Sequence, residues 1–171
     1  MSTQDNKKFV IEWMRALVVG DIDTLKNCYA DDCRFLVAGD MPYCGWMDRA
    51  GFFGQTAILQ LDGPITMEIG DITAEGDKVW FEAQSSARLK SGEDYENTYV
   101  FFVRLREGKI IEYKEFVDTY YVNRLIDSPL TRGTPQPRYR IFDTPTVTFS
   151  GAAVGEVLRE SAADEHNQNL D

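Results

Sequence analysis

The stretch "GKIIEYKEFVDTYYV", Gly108 to Val122, mixes strand-forming aromatic and β-branched residues with four charges: Glu112, Lys114, Glu115 and Asp118. A carboxyl on such a strand can act as a general acid or base if its face is turned from water. Burial disfavours the charged form and moves the pKa toward neutrality. Alternation puts Glu112, Lys114, Phe116 and Asp118 on one face and Tyr113, Glu115 and Val117 on the other. A bulge would exchange the two faces, so spacing alone leaves the pocket face open. The plainer alternative pairs Asp118 and Glu115 with basic neighbours such as Arg104 or Arg106, on a solvated or dimer-facing sheet.

Other chemistries are thinly provided for. His166 is the only histidine and lies in a polar tail, which removes histidine–metal clusters, Ser–His pairs and Cys–His pairs. Cys28, Cys33 and Cys44 are odd in number and lack C-x-x-C spacing, as expected of reduced thiols. No metal and no organic cofactor is expected. Asn97 and Tyr99 share a face with Phe101 and Val103, so their polar groups can point into a cavity. Asp40 and Tyr43 sit in the Gly- and Pro-punctuated loop "GDMPYCGW". Trp13, Phe35, Trp46, Phe53, Phe81 and Phe101 are candidates for an apolar lining, several of them as plain core. Ser85, on the side of Phe81 and Ala83, is too isolated to be a nucleophile.

Positioning these residues requires helices followed by a meander. "DNKKFVIEWMRALVV" sets Phe9, Val10, Trp13, Met14 and Leu17 at helical spacing and stops at Gly20. Asp21 caps a second helix, "DIDTLKNCYA"; residues 33–38 read as a short strand; Asp48 caps a third helix, "RAGFFGQTAILQ". Strand patterns then cover 65–74, 78–90, 95–106 and 109–122, separated by the turn sequences "EGD", "SGED" and "REG". This order implies an α+β domain over residues 1–126, with helices packed on one face of a curved sheet. Residues 127–171 form a Pro-rich arm and polar tail. Of these, 138–158 carry enough apolar residues to dock on the domain or a partner, or to cover the pocket as a lid.

Of the 171 residues 43% are hydrophobic, enough for a sizeable core, and the net charge is −10. With no basic stripe, neither nucleic acid nor an anionic membrane is an expected partner. No apolar run spans a bilayer and residues 1–8 lack a signal sequence's apolar region, so a cytoplasmic location is expected.

Helix–Gly–Asp–helix, then "ADD", a short strand and a meander ending in "GKIIEYKEFVDT", resembles the SnoaL-like, ketosteroid-isomerase-related branch of the nuclear-transport-factor-2-like superfamily. The echoes "GDIDTLKNCYADD", "YENTYVFFVRL" and "GKIIEYKEFVDT" span roughly residues 8–123. The resemblance implies a conical α+β barrel, three N-terminal helices on a curved, mainly antiparallel sheet, enclosing an apolar pocket. The steroid isomerases' polar positions fall on Trp13, Val37 and Phe101, which removes that arrangement. Limonene-epoxide-type hydrolases match at Asp118 but also need an Arg–Asp pair, and no acid stands beside Arg88. SnoaL-type cyclases ask for one late-strand carboxyl. The resemblance therefore implies Asp118 as acid/base, buried and titrating above an ordinary aspartate, with Glu115 next and with Tyr99 and Asn97 orienting a carbonyl or hydroxyl.

The expected function is cofactor-independent acid–base chemistry (cyclisation, isomerisation or dehydration) on an apolar oxygenated small molecule such as a polyketide, terpenoid or steroid. A non-catalytic ligand-binding module is the alternative, and an epoxide hydrolase a further one. A homodimer is expected through the outer sheet face, centred on Trp80 among Glu82, Gln84, Ser86 and Arg88.

Overall fold

Ser2 and Asp5 start the first helix by capping each other. The Ser2 Oγ accepts from the Asp5 N–H and the Asp5 carboxylate accepts from the Ser2 N–H, both at 3.1 Å. This capping box satisfies donors that a helix start leaves open. Helix α1 (Thr3–Val19) then runs to Gly20, whose φ of 71° supplies the left-handed stop. These elements belong to a computed structural model of the chain, which describes residues 2–55, 60–126 and 141.

The chain continues through α2 (Ile22–Cys28), capped by Asp21, then β1 (Tyr29–Val37), β2 (Gly45–Met47) and α3 (Arg49–Gln55). After residue 60 come β3 (Thr66–Glu75), β4 (Lys78–Arg88), β5 (Asp94–Arg106), β6 (Lys109–Val117) and α4 (Thr119–Leu125). The sheet has the order β2-β1-β6-β5-β4-β3 and is not closed. The meander begins at the far edge and returns, which lays β6 parallel to β1; every other pair is antiparallel. Helix α1 packs across β3 and β4, and α3 packs on β1. The expected α+β cone is the observed architecture.

Three boundaries differ from the sequence reading. The last strand stops at Val117, and residues 119–125 form α4, because the Asp118 carboxylate caps that helix by accepting from the Tyr121 N–H at 2.9 Å. The first strand begins at Tyr29, not at 33, and the expected loop ends in the short strand β2. Part of the expected third helix, at 56–59, and the arm, apart from Ile141, lie outside the described residues.

Register decides which residues face inward. On the concave side Phe81, Phe101, Glu115 and Val37 form one cross-strand row, and Val79, Val103, Tyr113 and Phe35 form the next. On the outer side Trp80, Phe102, Lys114 and Leu36 form a row, with Trp46 beside Leu36. The ladder between β5 and β6 shifts between the pairs Arg104–Glu112 and Leu105–Ile110, so Ile111 is an extra residue in β6.

The outer face of β6 carries an ion cluster. Glu112 accepts from Arg34 at 3.0 Å and pairs with Lys114 at 2.9 Å and Arg104 at 3.9 Å. Burial pulls the Glu112 pKa upward, but the hydrogen bonds and charges of Lys114 and Arg34, with the Arg104 charge, outweigh it and hold it below the ordinary value. Lys114 also donates to the Ile141 carbonyl at 2.7 Å and lies over the Phe102 and Trp46 rings.

Candidate functional site

The concave face, α1, α3 and α4 enclose a cavity of about 280 Å3, near the small end of ligand pockets, ~300–1,000 Å3. Met14 and Leu17 from α1, Phe52 from α3, Met67 from β3 and Val122 from α4 line it, with Leu61, Ile65, Val37, Val117 and Phe101. Its polar groups are four phenols, Tyr43, Tyr95, Tyr99 and Tyr113, and one carboxyl, Glu115. Among the described residues no lysine, arginine or histidine lines it.

Glu115 is the carboxyl whose titration this setting changes. It is only part-buried by area, because its surface opens onto the cavity it lines. The fully buried Tyr113 donates its phenolic hydrogen to Glu115 Oε2 at 2.7 Å. Desolvation raises the Glu115 pKa, and the Tyr113 hydrogen bond opposes it without cancelling it. Tyr113 is itself pushed up, by burial and then by the Glu115 charge. Burial likewise raises Tyr43, Tyr95 and Tyr99, and the Glu115 charge adds to each. All four phenols therefore keep their protons at neutral pH and face a carboxyl that holds its own more firmly than an exposed glutamate.

A second polar cluster lies along β4 and β5. The Ser85, Tyr99 and Tyr95 hydroxyls follow one another at 3.1 and 3.0 Å, and the Asn97 amide donates to Tyr95 at 3.0 Å. Tyr99 stacks on Phe101 with a ring separation of 5.2 Å. The Tyr43 hydroxyl donates to the Thr119 carbonyl at 3.1 Å, joining the expected mouth loop to α4.

The sequence-derived site is thus partly assembled. Tyr99, Tyr43, Phe101 and Glu115 line the cavity, and Asn97 supports it from behind. Asp118 is exposed and caps α4, so its expected burial is corrected: β6 turns its Tyr113–Glu115–Val117 face inward. Asp118 borders an open groove of about 660 Å3 on the outer face, where its neighbours Glu68 and Glu82 are exposed too. Asp40 is exposed.

Trp13 is core, its indole N–H donating to Tyr29 at 2.8 Å. Phe35, Phe53 and Phe81 pack within the aromatic core without lining the cavity. Trp46 lies outside, beneath the Arg34 guanidinium. Tyr113 and Tyr95 were missed, although each stands two residues from a named candidate on the same face. Burial pushes the Cys33 thiol up to about 12 and Cys44 up to about 11, so both stay protonated. Among the described residues no group of three or more His, Cys, Asp or Glu is placed to hold a metal ion. No described helix is long and apolar enough to cross a membrane.

An open α+β cone whose concave face holds one carboxyl among phenols and apolar side chains defines the class, and structural comparison supports it. A nuclear-transport-factor-2-like protein from Burkholderia xenovorans matches with 23% identity and a TM-score of 0.59, over 74% of this chain and 99% of that one. IdmH from Streptomyces antibioticus, provisionally assigned as a polyketide cyclase, matches with 22% identity and a TM-score of 0.58, over 68% and 94%. An epoxide hydrolase of the LEH-like type from M. tuberculosis matches with 16% identity and a TM-score of 0.58, over 72% and 90%. None of the curated proteins matches the sequence. The model of the SnoaL-like domain matches residues 10–113, and the chain belongs to that family.

Proposed function

We propose that the protein is a cofactor-independent enzyme that moves a proton on a neutral, apolar, oxygenated small molecule, with Glu115 as the acid/base. The observation that carries this reading is the Glu115 carboxyl, raised in pKa inside an apolar cavity and held by the buried Tyr113 phenol. A carboxyl with a pKa lifted toward the working pH is the better general base, since it can take a proton and later return it. Cyclisation, isomerisation and dehydration all need such a transfer at carbon beside a carbonyl. The described residues of the lining include no cation, so against them an anionic substrate would be buried unpaired, at a cost of several kcal/mol. Five polar side chains converging on the cavity favour catalysis over simple ligand storage, for which an apolar lining would suffice. The provisional assignment of the Streptomyces antibioticus neighbour as a polyketide cyclase names chemistry of the same kind.

The test uses 2-tetralone, a two-ring ketone with acidic carbon-bound hydrogens, incubated with the protein in D2O. NMR is expected to show accelerated exchange next to the carbonyl with the wild type and with Asp118→Asn. Glu115→Gln should lose it. Undiminished exchange by Glu115→Gln would remove Glu115 from the role.

A further inference from the structure

Among the described residues two phenyl rings line the cavity, Phe52 from α3 and Phe101 from β5. Phe101 belongs to the sheet, stacked on Tyr99 at 5.2 Å and on its cross-strand partner Phe81 at 4.9 Å. Phe52 is held differently. Its ring lies flat against Phe35, 4.5 Å away with 12° between the planes, and edge-on to Tyr113 at 5.1 Å and to Phe53 at 5.5 Å. Phe35 is wholly buried and does not itself line the cavity. Phe52 therefore stands between the cavity and the face of the Phe35 ring.

A cavity of about 150 Å3 is enough for benzene, so one of about 280 Å3 has room for two fused rings. A third ring in the same plane needs a further flat slot. The Phe52 phenyl fills such a slot, because a ring stacked on Phe35 takes the place that a flat ligand would take on that face. Other apolar lining residues set no sharp limit: Met14 and Met67 are unbranched and adjust to what they meet. Phe52 is backed by Phe35 and flanked by Phe53 and Tyr113, so its ring is fixed by packing. It also adjoins the reacting end, since Tyr113 donates to Glu115 Oε2 at 2.7 Å. A substrate that extends from the Glu115 carboxyl past Tyr113 meets Phe52.

We propose that Phe52 limits the substrate to two fused rings, by filling with its own phenyl the subsite on the Phe35 face where a third ring would stack. This rests on the proton-transfer reading above and narrows its substrate class to flat, bicyclic carbonyl compounds. Removing the Phe52 side chain opens that subsite, with the Phe35 face as its floor and the Tyr113 edge as one wall. The opened subsite is aromatic, so it offers a third ring the offset stacking that Phe52 now enjoys. Phe52 touches the substrate and not the proton. It governs which ketone is taken, while Glu115 governs what is done to it.

The experiment scores two ligand pairs on wild type, Phe52→Ala, Phe52→Leu and Leu17→Ala. One pair is 2-tetralone and its benzo-fused, three-ring homologue, read as kcat/KM for exchange in D2O. The other is tetralin and its benzo-fused homologue, hydrocarbons whose affinity is read by fluorescence titration. Wild type should favour the two-ring member of each pair roughly ten- to hundredfold, the scale on which pockets reject a group that does not fit. Phe52→Ala should remove or reverse both preferences. Phe52→Leu, which keeps a packed side chain on α3, should move both the same way by less, and it decides the matter if the alanine variant does not fold. Leu17→Ala frees volume on the α1 side and should leave the preferences in place. A wild type that binds neither hydrocarbon or takes both ring numbers equally would overturn the proposal. So would a preference that survives both Phe52 variants, or an equal change in Leu17→Ala, which would make total volume the limit. If the hydrocarbon preference moved as expected but neither ketone exchanged, Phe52 would keep its role and the proton-transfer reading would fall. Equal exchange of both ketones by the wild type, lost in Glu115→Gln, would leave that reading standing without Phe52.

Discussion

Replacing Glu115 by glutamine is expected to stabilise the protein at neutral pH, by an amount that grows with pH. Taking a carboxylate out of water costs several kcal/mol. The one hydrogen bond given by Tyr113 offsets about 1.5–3 kcal/mol of that, and among the described residues no cation lines the cavity. Folding therefore favours the neutral acid more than unfolding does, and the folded pKa lies above the ordinary glutamate value of 4.5. Above that value the unfolded chain releases a proton that the native protein still holds. Wild-type stability thus falls with pH until the raised folded value is passed, with a slope of at most about 1.4 kcal/mol per pH unit. Glutamine keeps a carbonyl to accept from Tyr113 and has no charge to form. Urea unfolding from pH 4 to 9, followed by tryptophan fluorescence, measures the difference between the two proteins. It should be smallest at the acid end, rise, and then level off, and the height of the plateau reports the Glu115 shift. A difference that is flat across this range, or that turns against glutamine as pH rises, would refute the reasoning.

Three further outcomes are expected. Glu112→Gln should show the opposite slope when the titration is carried below pH 4, because its depressed pKa contributes stability that is present at neutral pH and lost as pH falls below the ordinary glutamate value of 4.5; Glu112→Leu should destabilise more than Lys114→Met, since Lys114→Met leaves Glu112 its Arg34 and Arg104 partners. Asp118→Ala should cost about 1 kcal/mol through the lost cap of α4, while Asp118→Asn, which can still cap, should be nearly neutral by thermal unfolding. The homodimer expected through the outer sheet face would seat Trp80, which is 40% exposed and packs on Phe102 at 4.7 Å, beside the 43%-exposed Val100; sedimentation should give a dimer at micromolar concentration that Trp80→Ser dissociates, and a monomeric wild type would end that expectation.

Much of this fold could be read from periodicity and punctuation. Gly20 and Asp21 mark the break between the first two helices, and "EGD", "SGED" and "REG" mark the turns of the meander, because turn residues and caps act locally. The pocket acid was harder to read. Glu115 and Asp118 lie on opposite faces, and the choice between them rests on register against β1 and β5, which are distant in sequence. Asp118 also begins "DTYYVNRL", whose aromatic run has strand character. Its helix is set by a capping hydrogen bond and by Val122 reaching the cavity, and neither has a signature in composition. Trp46 misled for a related reason: a bulky aromatic reads as lining, yet pairing with Leu36 places it on the outer row. Tyr99 and Asn97 were legible because β5 alternates without interruption from Asp94 to Arg104.

The extra residue Ile111 gives β6 a reading frame. Downstream of it, one set of alternate residues supplies the cavity with a phenol and an acid, while the other supplies the outside with Glu112, Lys114 and Phe116. Were the ladder to straighten with Ile111 kept, so that Ile111 met Arg104, every downstream residue would slip by one and the two sets would exchange. A lysine and its glutamate would then face the cavity, and Glu115 would face outward. Deleting Ile111 would instead leave both sets where they are, because Glu112 would still meet Arg104 and Tyr113 would still meet Val103. In comparing relatives of this chain, whether an extra residue before Tyr113 is held out of the ladder becomes as informative about ligand chemistry as the residues within the strand.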